Sequence, residues 1–210
     1  MSFPRRYRHT LTGRASAAGD ESRARVLEVA LELFAASGFR GTSVAQIAER
    51  AGLSQAGLLH HFPSKATLLT AALDYHDDRE GSLLEIDGKP PLGWAAFDAL
   101  TGLVARNAQR PHAVRLFVTL GAEALDPDHP AHEWIRNHYE SLAAWLAAAV
   151  EFGRERGEMC PDTPVDQLVR LTIAAMDGLQ LQWLVSDRKI DMVEEFRHYV
   201  EHQKNTWSRP

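Results

Sequence analysis

Apolar residues return at helical spacing over nearly the whole chain. Val26, Ala30, Leu33 and Phe34, widened by Leu27 and Leu31, form the buried stripe of a first helix from about Ser22 to Ser37. Gly38 stops it, because a residue without Cβ adopts the left-handed conformation that closes a helix, and Phe39 follows as a hydrophobic anchor. Ser43 stands three residues before Gln46, the spacing at which a hydroxyl and a returning amide satisfy two orphan backbone donors, so a short second helix runs from Val44 to about Ala51. Gly52 marks a turn, Ser54 caps a third helix, and Ser64 after Pro63 caps a fourth that carries Leu68, Leu69, Ala72 and Leu73 to about Glu85.

Residues 87–91 form a loop by composition, and helices follow at about 92–109, 111–125, 131–156, 164–186 and 191–206. Pro111 and Pro130 open two of them; Thr163-Pro164 with Asp166 reads as a cap, a first-turn proline and an early acid, and Asp191 with Glu194 starts the last. The expected fold is all-α, about nine helices. Residues 21–70 form a helix-turn-helix domain, and 71–210 a larger helical domain. Residues 1–20, with Arg5, Arg6, Arg8 and Arg14 among small and polar residues, read as a disordered basic arm.

A chain of 210 residues, 45% hydrophobic, has room for a sizeable core. No apolar run reaches the roughly 18 residues of a membrane span, and Met-Ser-Phe-Pro-Arg-Arg lacks the apolar stretch of a secretory signal, so the expected location is the cytoplasm. The lone Cys160 can form no internal disulfide and reads as a small, partly buried residue. Net charge is −5, yet residues 1–70 carry nine Lys or Arg against five Asp or Glu, and residues 71–210 fourteen against twenty-three. The basic part suits phosphates and the acidic part discourages wrapping of DNA around the whole body.

About three residues separate the second and third helices, the spacing of a helix-turn-helix that places side chains in a DNA groove. Ile47, Ala48, Ala51, Leu53, Leu58 and Phe62 supply a seam toward the first helix, leaving Gln55, Ala56, Gly57, Leu59 and His60 outward. Phe62 reads as core and His61 as a hydrogen-bonded structural histidine.

The amphipathic first helix, Gly38-Phe39-Arg40-Gly41-Thr42-Ser43, the Ile47-Ala48 and Ala51-Gly52-Leu53-Ser54 core, His61-Phe62 and Ser64-Lys65 closely resemble the TetR family of bacterial transcriptional regulators. The resemblance covers about residues 22–75 and implies a two-fold dimer with a variable carboxy-terminal domain that holds an inducer. It implies phosphate contacts from Thr42 or Ser43 and from Lys65, with Gln55 and His60 nearer the bases. Helix N-termini offer free N–H groups to phosphate, Lys adds charge, and Gln pairs bidentately with adenine. Arg25, at the start of an ordered helix, is a further phosphate candidate. The DNA-binding set is thus Arg25, Thr42, Ser43, Ser54, Gln55, Ala56, Gly57, Leu59, His60 and Lys65.

Two positions depart from the commonest family pattern. Ala56-Gly57 stands where Gly-Thr is more usual, and Leu59 where a tyrosine often meets phosphate. Leu59 suits a thymine methyl or the sugar edge instead. Gly57 costs about 1 kcal/mol of helix propensity relative to alanine, and close approach of backbone to DNA is one purpose for it.

Aromatic and apolar residues of the middle helices supply core and, on the resemblance, the wall of a pocket for an unidentified small-molecule inducer: Phe97, Phe117, Leu120, Trp134, Trp145, Met176, Gln180 and Trp183. The penultimate helix, with Ala174, Ala175 and Gly178, and the last, with Met192, Val193, Phe196, Tyr199 and Val200, pair as half of an intersubunit four-helix bundle. Such a homodimer sets two recognition helices about 34 Å apart on a palindromic double-stranded operator. Together these features point to a regulator, a repressor released by its inducer, with no cofactor and no membrane partner.

A helical ligand-binding or metal-sensing module without specific DNA binding is the alternative. Asp126, Asp128, His129, His132, Glu133 and His138 are its candidate ligands, although Asp and His also serve as caps where a loop enters a helix. A glycine-rich phosphate loop after a strand and a Gly-x-Ser-x-Gly elbow are both missing, so the chain does not read as an enzyme.

Overall fold

The computed structural model describes residues 17–209. Among them are nine α-helices: α1 (Ala17–Gly41), α2 (Val44–Ala51), α3 (Gln55–His61), α4 (Lys65–Leu84), α5 (Trp94–Ala108), α6 (Pro111–Glu123), α7 (His132–Glu155), α8 (Val165–Val185) and α9 (Met192–Trp207). The elements between α2 and α9 lie within a few residues of the expected bounds. The start of α1 does not: the helix begins at Ala17, so residues 17–20, assigned to the basic arm from sequence, are helical. Arg5, Arg6, Arg8 and Arg14 lie outside the described residues.

The helices stop where their chemistry requires. Gly38 sits at φ 69° and ψ 178°, a break in the helical backbone near the end of α1. Gly52 closes α2 in the left-handed region at φ 73°, where its N–H and that of Leu53 take up the last carbonyls of the helix. Thr163 does not act as the α8 cap that its sequence position suggested. Its hydroxyl donates to the Cys160 carbonyl at 2.7 Å, and Pro164 takes the cap position without a side-chain bond. Asp191 does cap α9, accepting from the Glu194 N–H at 3.1 Å. Among the described residues no helix is long and apolar enough to cross a membrane.

The chain divides into two compact units. The amino-terminal unit comprises, of the described residues, 17–79 and 112–136. Its core joins Val26, Leu27, Ala30 and Phe34 of α1 to Ile47, Leu58, Phe62, Leu68, Leu69 and Leu73, with Leu116, Leu120 and Trp134 in the same cluster. The carboxy-terminal unit comprises Glu80–Pro111 and residues 137–209. There α9 packs along both α5 and α8, and Phe97, Leu100, Leu146, Val150, Leu168 and Phe196 are buried. Lys204 on α9 ties to Asp98 on α5 at 2.6 Å.

Candidate nucleic-acid interface

Three serines organise the interface, one before each of α2, α3 and α4. Ser43 Oγ accepts from the Gln46 N–H at 3.2 Å while Gln46 Oε1 accepts the Ser43 N–H at 2.9 Å, the reciprocal box that the spacing predicted. Ser54 Oγ accepts the Gly57 N–H at 3.0 Å, and Ser64 Oγ accepts the Thr67 N–H at 3.0 Å. Each cap covers one of several unpaired donors at its helix start, and the remaining N–H groups carry the positive end of the helix dipole.

Between these caps α3 buries Leu58, with Phe62 behind it, and leaves Gln55, Ala56 and His60 exposed. Gly57 and Leu59 are half-buried. A Cβ on Gly57 would stand 3.2 Å from Ser54 Oγ, so the missing side chain leaves room for the α3 cap itself. This is a local reason for a glycine there. His61 is exposed, its ring 5.7 Å from that of His60.

Thr42 and Lys65 both bond inward, the first completely and the second in part. Thr42 is buried, and its hydroxyl lies within bonding distance of the Gly38 carbonyl at 2.8 Å and the Leu33 carbonyl at 3.1 Å. A hydroxyl turned into the α1 end cannot reach a phosphate, so of the pair only Ser43 faces solvent. Lys65 reaches back across the same corner: Nζ donates to the Phe39 carbonyl at 2.8 Å and the Thr42 carbonyl at 2.9 Å, 4.3 Å from the centre of the Phe39 ring. Two of its three ammonium donors are thereby spent on the fold. Arg25 is exposed near the start of α1, whereas Arg23 stacks on Phe62 at 4.4 Å.

Exposed charge around α3 is sparse. Residues 21–70 hold five Lys or Arg against four Asp or Glu; Arg50 pairs with Glu32 and Arg40 with Asp126. The basic excess of the amino-terminal part therefore resides in the four arginines of residues 5–14.

One contributor was invisible in the sequence. Glu123, at the end of α6, accepts the Phe39 N–H at 2.9 Å and occupies the space over Gly38, where a Cβ would meet its Oε1 at 2.3 Å. Buried His129 stacks edge-on against Phe39 with ring centres 5.2 Å apart. Its Nδ1 accepts the Ala131 N–H at 3.2 Å, and its Nε2 lies 3.6 Å from Glu123 Oε2. Burial pushes the His129 imidazole below its usual range, outweighing the opposing pull of the Glu123 and Asp126 carboxylates.

The candidate metal ligands of this loop are engaged locally. His132 Nδ1 bonds the Ala124 carbonyl at 2.8 Å, Asp126 caps the Asp128 N–H at 3.0 Å, and Glu133 pairs with Arg136. Among the described residues no group of three or more His, Cys, Asp or Glu is placed to hold a metal.

The expected inducer contacts fall into two groups. Phe117, Leu120 and Trp134 pack in the core of the amino-terminal unit, where Trp134 Nε1 donates to Asp74 at 2.7 Å. Phe97, Trp145, Met176, Gln180 and Trp183 are buried in the carboxy-terminal unit.

Comparisons with known proteins agree with this geometry. Residues 26–72 match the model of the bacterial regulatory proteins of the tetR family. The HTH-type transcriptional regulator RutR of Escherichia coli (strain K12) is 45% identical over 62 residues, 30% of this chain and 29% of RutR, so that match spans less than a third of the relative. The probable HTH-type transcriptional regulator ArpR of Pseudomonas putida is 26% identical over 191 residues, 86% of this chain and 89% of ArpR. The crystal structure of a TetR transcriptional regulator from Chloroflexus aurantiacus J-10-FL shares the fold at a TM-score of 0.76 and 24% identity, covering 93% of this chain and 100% of its own. The amino-terminal match falls on the capped α2–turn–α3 unit, and over residues 26–72 the chain carries the amino-terminal domain of the tetR family of bacterial regulatory proteins.

Proposed function

We propose that the chain is a dimeric, sequence-specific DNA-binding transcriptional regulator, a repressor released by a small-molecule inducer. The observation that carries the reading is the α3 face. Gln55, Ala56 and His60 stand exposed on a short helix whose position is set by Leu58, Phe62 and the Ser54 cap. In this reading Ser43, Ser54, Arg25 and the third donor of Lys65 hold phosphates, while Gln55, His60, Ala56, Gly57 and Leu59 meet base edges and sugars. Residues 21–70 act as the reading head and 71–210 as the sensing and pairing part, in the cytoplasm.

Dimerisation is supported by α8. Leu171, Ala174, Gly178, Leu181 and Val185 recur at alternating intervals of three and four, the repeat that lines one helix face. Leu171 is 49% exposed, Leu181 48% and Val185 78%. Large apolar side chains left in water along one stripe suit a second copy of the same helix. α9 contributes less to such a face than the sequence suggested, because Met192, Phe196 and Val200 are buried within their own unit. Phe97, Trp145, Met176, Gln180 and Trp183 are the residues we retain as inducer lining.

An inducer acts only through unequal affinity for the DNA-bound and released states, and a tenfold release needs about 1.4 kcal/mol of coupling. The test is competition binding to DNA upstream of the protein's own coding region against scrambled duplex over a salt series. Specific binding exceeds non-specific by about 1000-fold or more for regulators of this kind. Equal affinities with equal salt dependence would reject the reading.

A further inference from the structure

Two arginines lie one helical turn apart at the end of α5 and beyond it, and they differ in their partners. Arg110 is forked by Glu80, Nη1 to Oε1 at 2.7 Å and Nη2 to Oε2 at 2.9 Å. Arg106 has no such fork. Its Nε and Nη2 are both closed off from solvent, and neither finds a hydrogen-bond partner among the described residues. Its Nη1 lies over the preceding turn, 3.6 Å from where a Cβ on Gly102 would be, so the side chain leans toward the helix start, as helical side chains do.

A guanidinium keeps its charge at every pH a protein meets, and two desolvated N–H donors without acceptors are among the costliest groups to leave unmet. Nε–H and Nη2–H point outward from one edge of the plane, with the spacing that matches the two oxygens of a carboxylate. Both oxygens of Glu80 are already taken by Arg110. Trp94 Nε1 is a second closed-off, unpartnered donor on α5. It stands twelve residues away, about 18 Å along the helix, too far to share a small ligand with Arg106.

We propose that Arg106 anchors an anion site in the carboxy-terminal unit, and that the molecule held there carries a carboxylate. This inference rests on the regulator reading only for its biological meaning; the site itself is testable without DNA.

The experiment measures calorimetric affinity of the full chain for benzoate and octanoate, for benzamide and octanamide as uncharged counterparts, and for inorganic phosphate. The expected result is that at least one carboxylate binds about 10-fold or more tightly than its amide, a discrimination set by the missing ionic fork. R106Q should lose that preference. R106M, which removes a charge with no partner, should melt no lower than wild type in the absence of ligand. In wild-type protein, the bound carboxylate should shift one arginine Nε–H resonance, a readout that needs no variant to fold. No carboxylate binding, amides binding equally, phosphate binding alone, an unaltered preference in R106Q, or a lowered melting point of R106M would each overturn the assignment. Operator binding measured in parallel separates the two readings. Specific DNA binding with no carboxylate response removes only the Arg106 site, whereas carboxylate binding without DNA specificity removes only the regulator.

Discussion

The Glu123 carboxylate accepts the Phe39 backbone N–H across 84 positions of sequence, and in doing so fills the space that a side chain on Gly38 would need. The end of α6 is thereby fastened to the corner that orients α2. Replacing Glu123 by alanine leaves a half-buried N–H without its acceptor, an expected loss of about 1 to 3 kcal/mol in urea unfolding. Glu123→Gln keeps an acceptor and should recover most of it. Gly38→Ala is strained by its positive φ and by the clash, so the double variant with Glu123→Ala should be less damaged than the two single losses added together, by at least about 0.5 kcal/mol. Simple additivity in that cycle would refute the contact.

Gln55 and Lys65 should separate cleanly. Gln55 is exposed and caps nothing, so Gln55→Ala should melt with the wild type while discrimination at one operator base falls by about 1 to 3 kcal/mol. Lys65→Met removes two bonds to the α1 corner, so weaker binding to all DNA should come together with a lower melting temperature. Selective loss of base preference in the lysine variant, with stability intact, would reverse these roles.

His129 makes the amino-terminal unit acid-sensitive. Burial lowers its folded-state pKa below the ordinary 6.5, so on acidification below that value the unfolded chain takes up a proton that the folded chain refuses. Stability contributed by neutral His129 is therefore present above 6.5 and lost as pH falls toward the folded pKa. Unfolding free energies measured from pH 7.5 to 5 should decline more steeply for wild type than for His129→Asn, which retains an acceptor for the Ala131 N–H and cannot titrate. Parallel curves would show that the imidazole is not the sensitive group.

Leu181→Glu on the exposed α8 stripe should yield a monomer in sedimentation, with the amino-terminal unit still folded. Loss of the second reading head removes the avidity of paired binding, so operator affinity should fall by about 100-fold or more. A stable dimer in this variant would place the interface elsewhere.

The features legible in the sequence are those that act over one helical turn. Ser43 and Gln46, Ser54 before α3, Gly38 and Gly52 each do their work within a few residues, and the spacing alone located them. The inward bonds of Lys65 left no signal because its partners, the Phe39 and Thr42 carbonyls, become its neighbours only once α1 and α4 are packed. Glu123 left no signal because a helix-ending glutamate is ordinary until the chain returns to Phe39. Leu120 and Trp134, pocket candidates on the resemblance, lie in the core of the amino-terminal unit, and periodicity shows that a residue is buried without showing which core it enters.

The three serine caps have a consequence for how such a protein changes over time. Ser43, Ser54 and Ser64, with Leu58 and Phe62, hold the turn by bonds and contacts that do not involve the outward side chains of Gln55, Ala56 and His60. Those three positions carry no share of the folding free energy through the caps, so substitutions there escape the stability threshold that purges most mutations. On the proposed reading of these side chains as base contacts, a lineage rewrites its operator vocabulary one letter at a time without passing through an unfolded intermediate.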